Sequence, residues 1–165
     1  MRMHDLIRWD PDALSDFEET LGRCAADVEH VREAVTMRAR CEGRWGGDAH
    51  DAAGRQVALC TEALAARSDS LLRVRDCALL VAPRLRTLRA GLEAIRSDAA
   101  ANGVEVADDG TVRPAPGASP VTAVRAGVQG RVAALLAHAA ELDREAAQML
   151  SRELDEPGRA ENATS

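Results

Sequence analysis

From Ala53 to Ala99 apolar residues recur at steps that mostly alternate between three and four: Ala53, Val57, Cys60, Leu64, Leu71, Val74, Ala78, Val81, Leu85, Leu88, Leu92, Ile95 and Ala99, with Arg67 the only polar interruption. A seam kept up over about seven heptads specifies one long helix, because strand side chains alternate with a period of two. Pro83 lies inside this run and removes one backbone bond, so it predicts a bend. The seam keeps phase from Val81 through Leu85 and Leu88, so the helix is expected to continue past it, over 48–102. Asn102-Gly103 then supplies residues that tolerate left-handed backbone.

The remaining elements follow from punctuation on either side. Asp10-Pro11 is a helix start, with Asp as N-cap, Pro in the first turn and Trp9 placed to staple onto Leu14. Behind it Leu14, Phe17, Leu21, Cys24, Val28, Val31 and Val35 mark one seam along a helix over 11–41. Gly43 and Trp45-Gly46-Gly47 break it, and Asp48 with Asp51 resembles a capping box that restarts the chain as a helix. After the long helix, Val104-Glu105-Val106 and Thr111-Val112-Arg113 flank Ala107-Asp108-Asp109-Gly110 and predict a small hairpin over about 104–113. Ser119-Pro120 opens a last helix, expected over 120–154, with Val121, Val124, Val128, Val132, Leu135, Ala139, Leu142, Ala146 and Met149 on one face. The polar stretch 155–165, with Pro157-Gly158, reads as a disordered tail.

The expected fold is therefore all-α: a long antiparallel helical hairpin with a Trp-Gly-Gly turn, a small β-hairpin, and a third helix packing back to give an extended three-helix bundle. At 165 residues the chain is about one domain, expected over 1–154. Reversal at Gly46 pairs residue numbers summing to about 92 and covers the long helix to about residue 81; reversal near 111 gives about 222 for the last helix. The charges suit a basic spine between acidic flanks, since Arg dominates 67–96 while acids dominate 10–33 and 141–156.

Chemistry is hard to place in this sequence. All 21 basic residues are Arg and the net charge is −6, which speaks against wholesale affinity for nucleic acid or anionic lipid. No apolar run reaches 18 residues, so no membrane span is expected, and the N-terminus leads into no apolar core of a cleaved signal peptide. Cys24, Cys41, Cys60 and Cys77 have no Cys-x-x-Cys pair, and the expected stacking sets no two thiols opposite each other; they read as small buried hydrophobes without disulfide or metal. Asp48 to Asp51, around His50, and the Asp108-Asp109 pair are explained by caps and turns. With no nucleophile elbow, zinc-binding His-Glu motif or phosphate loop, no catalytic, cofactor or metal residue is assigned and no enzyme activity is expected.

Trp45, Gly46 and Gly47 between two long amphipathic helices resemble the Trp-x-Gly turn of the WXG-type family of helical hairpins associated with type VII secretion. The likeness covers residues 9 to 100. It implies a non-enzymatic protein working by helix pairing through a seam that includes Leu14, Phe17, Leu21, Leu64, Leu71, Leu85, Leu88 and Leu92, with a protein partner or a second copy. It further implies the secretion apparatus or a chaperone as partner, and export without a cleaved signal peptide. The family's export signal is a Tyr with an acid four residues later, and this chain has no Tyr. A partner then carries that signal, or the protein stays in the cytoplasm. A cytoplasmic coiled-coil adaptor or regulatory protein, and the helical delivery domain of a toxin, are the alternative readings.

Overall fold

The structure is a computed structural model that describes residues 3–41, 47–119 and 122–155. Its elements are α1 (Met3–Arg8), α2 (Pro11–Cys41), α3 (Asp48–Ala101), β1 (Val104–Val106), β2 (Val112–Pro114) and α4 (Thr122–Asp155). Mostly helical with one small antiparallel sheet, it matches the expected architecture in kind. The chain divides into two compact units: a core unit of Met1–Ser15 and Leu79–Met149, and a hairpin unit of Asp16–Ala78 and Leu150–Ser165.

In the core unit the last helical turns of α3 end where Gly103 takes φ +69, with the Asn102 side chain donating to the Asp98 carbonyl at 2.8 Å. The strands pair Val104 with Pro114, Glu105 with Arg113 and Val106 with Val112. Their turn closes through Ala107 N–H to Thr111 O at 2.9 Å, with Gly110 at φ +85. Asp109 accepts from the Thr111 hydroxyl at 2.6 Å and from the Thr111 N–H at 2.9 Å, and these bonds, with Arg113 nearby, hold its carboxyl below the usual Asp range. The buried valines Val104, Val106 and Val112 join Leu85, Leu92, Ile95 and Ala99 of α3 and Val128, Val132, Ala139 and Leu142 of α4 in one apolar core. Every described member of the seam expected on the last helix is buried or half-buried. Gly91 lets α4 approach closely: a Cβ there would lie 3.2 Å from the Leu135 methyl.

Two features of this unit depart from expectation. The helix α1 lies ahead of the expected first helix, and its Met3 and Leu6 are fully buried in the core. Trp9, half-buried, packs on the same cluster; Arg89 donates to its carbonyl at 3.2 Å, and Arg86 donates to the Ser15 hydroxyl at 2.7 Å. The N-terminal segment therefore reaches past residue 81, the limit that the turn at Gly46 set. The pairing of α3 with α4 also differs: Arg84 pairs with Glu145 and Asp98 with Arg131, so numbers sum to 229 rather than 222. Residues 115–121 separate β2 from α4, and this extra length moves the register by about two helical turns.

In the hairpin unit α2 and α3 run antiparallel, since Ser68 donates to the Ala25 carbonyl at 3.3 Å and a Cβ on Gly22 would meet Arg75 at 3.6 Å. The Asp10 carboxylate caps α2 through the Asp12 N–H at 3.0 Å, as the sequence predicts. At α3 the cap is different. Gly47, at φ +100, accepts from the His50 and Asp51 N–H groups at 2.8 and 3.1 Å, so Asp48 is already helical and interacts with the helix dipole from within the first turn. The helix passes through Pro83 unbroken. The residues of 156–165, the bulk of the expected tail, lie outside the described ones, while Asp155 belongs to α4.

Candidate helix-pairing surface

The surface is built on the stretches of α2 and α3 that pack against each other in the hairpin unit. Among the described residues of the hairpin unit the well-buried apolar side chains are Leu21, Ala25 and Ala78, and the buried Ser68 spends its hydroxyl on a carbonyl of the opposite helix. Large apolar side chains stay in water: Phe17 is 48% exposed, Val31 49%, Leu59 59% and Met37 68%. Leu150 is exposed as well, and in the core unit so are Leu79 and Leu80.

The reason lies in how the α2 seam is turned. It consists of two columns at heptad spacing. Leu14, Leu21, Val28 and Val35 are buried or half-buried, whereas Phe17, Cys24 and Val31 are exposed. The second column is replaced against α3 by Glu18, Ala25 and Arg32, whose positions are buried or half-buried. Arg32 can sit there because Glu29, one turn earlier, receives its guanidinium in a two-pronged hydrogen bond that holds the Glu29 carboxyl below its usual range. Leu14, Leu21, Val28 and Val35 thus share the contact face with Glu18, Ala25 and Arg32, and the column Phe17, Cys24 and Val31 faces outward.

The other expected seam residues distribute in the same way between the units. Leu64 and Leu71 in the hairpin unit are half-buried, whereas Leu85 and Leu92 are buried in the core unit, with Leu88 packed partly buried against that core. A 3.5-residue seam drifts by about 20° per heptad around a straight helix, so its members cannot all share one face. The thiols correct the expectation of burial: Cys24 and Cys60 are free and exposed, and Cys77 is half-buried. Of the turn motif, Trp45 and Gly46 lie outside the described residues; Gly47 forms the cap already given, and a Cβ there would meet nothing within 4 Å.

Sequence reasoning missed three contributors to this arrangement. Met3 and Leu6, with Ile7, have helical spacing and could have been found as a short amphipathic segment ahead of Trp9-Asp10-Pro11. Gln129 accepts from the Val112 N–H and donates to the Gly110 carbonyl, each at 3.2 Å, fixing the hairpin against α4; a lone Gln in a helix gives no such signal. Among the described residues no group of three or more His, Cys, Asp or Glu could hold a metal ion, and no helix is long and apolar enough to cross a membrane. A shallow groove of about 300 Å³ between α3 and α4 is lined by Arg84, Leu88, His138, Glu141, Leu142 and Glu145, with Arg84 and Glu145 engaged to each other. No family model matches the chain, and no curated protein or solved structure matches it.

Proposed function

We propose that this chain is a binding protein that acts by helix pairing, resembling substrates or partners of type VII secretion, and that the hairpin unit is the part that binds. The observation carrying this reading is the outward column Phe17, Cys24 and Val31 together with Leu59, all exposed on a unit in which few of the described apolar side chains are well buried. Exposed apolar side chains on a helix pair are a surface that a further helix stabilises by removing them from water, at about 25 cal/mol per Å². The position of Trp45-Gly46-Gly47 in the sequence, between α2 and α3, supports the secretion context.

The test is affinity capture from the native host, with culture filtrate and cytosol kept separate, using the chain and a Phe17→Asp/Val31→Asp variant. A protein partner that binds the chain and is lost with the variant, while circular dichroism of the two is the same, is the expected result. Equal capture by both would remove the helix-pairing reading. Recovery of the chain from cytosol alone would favour a cytoplasmic adaptor.

A further inference from the structure

Met3 and Leu6 stand three apart and are followed by Ile7 and Trp9, so α1 offers one apolar face on a helix of only 6 residues. A helix that short does not hold itself together in water, because nucleation fixes several residues for its first bond. Its helical state is therefore borrowed from its seat in the core unit. Met3 and Leu6 are fully buried there, and Met3 lies over the turn of the β-hairpin: a Cβ on Gly110 would come within 3.6 Å of Met3, 3.7 Å of Leu136 and 3.9 Å of Val132. At φ +85 and without a side chain, Gly110 leaves that space to Met3.

The elements on either side of α1 are held without it. Pro11, which opens α2, has no N–H to give the Ile7 carbonyl, so the helical bonding of α1 cannot run on into α2. The first turn of α2 is capped instead by the Asp10 carboxylate, which accepts from the N–H groups of Asp12 at 3.0 Å and Ala13 at 3.4 Å. The turn beneath Met3 is secured from the other side, since Gln129 of α4 donates to the Gly110 carbonyl at 3.2 Å. Of the buried cluster, Met3 and Leu6 come from α1, and the other members belong to α3, the β-hairpin and α4. An exposed guanidinium, that of Arg89, ties α1 down through the Trp9 carbonyl at 3.2 Å, a bond for which water competes. Past Pro11 the chain stays moored, because Arg86 donates to the Ser15 hydroxyl at 2.7 Å and approaches the Asp12 carboxylate at 3.6 Å.

We propose that α1, with Trp9, is a latch: it leaves its seat as one piece on a hinge at Asp10-Pro11, while α3, α4 and the β-hairpin keep the rest of the core closed. Opening exposes Met3 and Leu6 and the buried parts of Ile7 and Trp9, a fraction of the apolar surface that unfolding of the whole unit exposes. It bares a groove over Gly110, walled by Val132 and Leu136. The core unit thereby has two states, one with this apolar seat filled from within the chain and one with it free.

Amide hydrogen exchange of the intact chain across a urea series reads the two openings separately. The N–H groups of Ile7, Arg8 and Trp9 report α1, and those of Val132 and Leu142 report the core. The α1 amides should be protected at least about a hundredfold less than the core amides, with little dependence on urea below the unfolding midpoint. Exchange of both sets in step overturns the latch, and so does α1 protection below about tenfold, which leaves no closed state. Leu6→Asp holds the latch open. Closing then no longer adds to the stability of the core, so the core amides should lose the factor that protected α1 in the parent chain and keep the remainder, with helix content by circular dichroism lowered by no more than α1. A core that loses more than that factor, or a variant that does not fold, makes α1 an integral part of the core and overturns the proposal.

Discussion

The core unit and the hairpin unit draw on the same long helix and bury it to very different degrees. In the core unit α3 is met by α4, by the valines of the β-hairpin and by Met3 and Leu6 of α1, and its apolar side chains disappear into one cluster. In the hairpin unit α3 has α2 on one side, and its own Leu59 and the Phe17 and Val31 of α2 remain in water. Both stretches have apolar residues at helical spacing. The difference teaches that periodicity prescribes a helix and the existence of a buried face, while the number of neighbours decides how much of that face is used.

The largest expected effect tests the closed side of this contrast. Leu142, 1% exposed, is central to the core unit, and Leu142→Ala should destabilise by about 2 to 5 kcal/mol, read as a lower urea midpoint. A loss below about 1 kcal/mol would mean that this core is as loosely held as the hairpin. Next is the clamp on the β-hairpin: Gln129→Ala leaves the Val112 N–H without its acceptor and should cost about 1 to 3 kcal/mol, with faster amide exchange at Val112. Exchange unchanged at Val112 would show that Gln129 does not hold the strand.

On the open side, Phe17→Ser should change the urea midpoint by less than about 0.5 kcal/mol, because the ring is already half in water. A loss comparable with Leu142→Ala would erase the distinction between the units. The smallest effect concerns the turn of the β-hairpin. With its carboxyl held below the usual Asp range by Thr111, Asp109 contributes stability that is present above the unfolded-state value and lost as pH falls through the lowered folded value. Exchange at the turn amides should therefore quicken only on the acid side of the ordinary Asp range, and Asp109→Ala should flatten that dependence.

Much of this was legible from residue spacing. Asp10-Pro11 marks the start of α2, Asn102-Gly103 the end of α3, and the seam from Val124 to Met149 gives α4 its buried face residue by residue. What spacing could not give is rotation and register. Whether Phe17 or Glu18 faces α3 depends on how two thin helices settle against each other, and charged side chains such as Arg32 qualify for a contact face once a partner like Glu29 is one turn away. The α3–α4 register was hidden because the length of the connection after β2 sets it, and sequence periodicity is indifferent to a shift of a whole heptad. As for the pairing surface, its raw materials were visible as a seam, but the column that stays outside was not, since both columns read as apolar.

The burial of α1 has a consequence for biosynthesis. Met3 and Leu6 leave the ribosome before any residue they will touch, and Arg89, which holds the Trp9 carbonyl, lies 80 positions downstream. The hairpin of α2 and α3 can zip from its turn as soon as both arms emerge, whereas the core cannot close until α4 has been translated. This segment, made well before the residues it packs against, is thus among the last to dock, and until then Met3, Leu6 and Trp9 are exposed on the nascent chain as a short hydrophobic stretch that a holding chaperone could recognise.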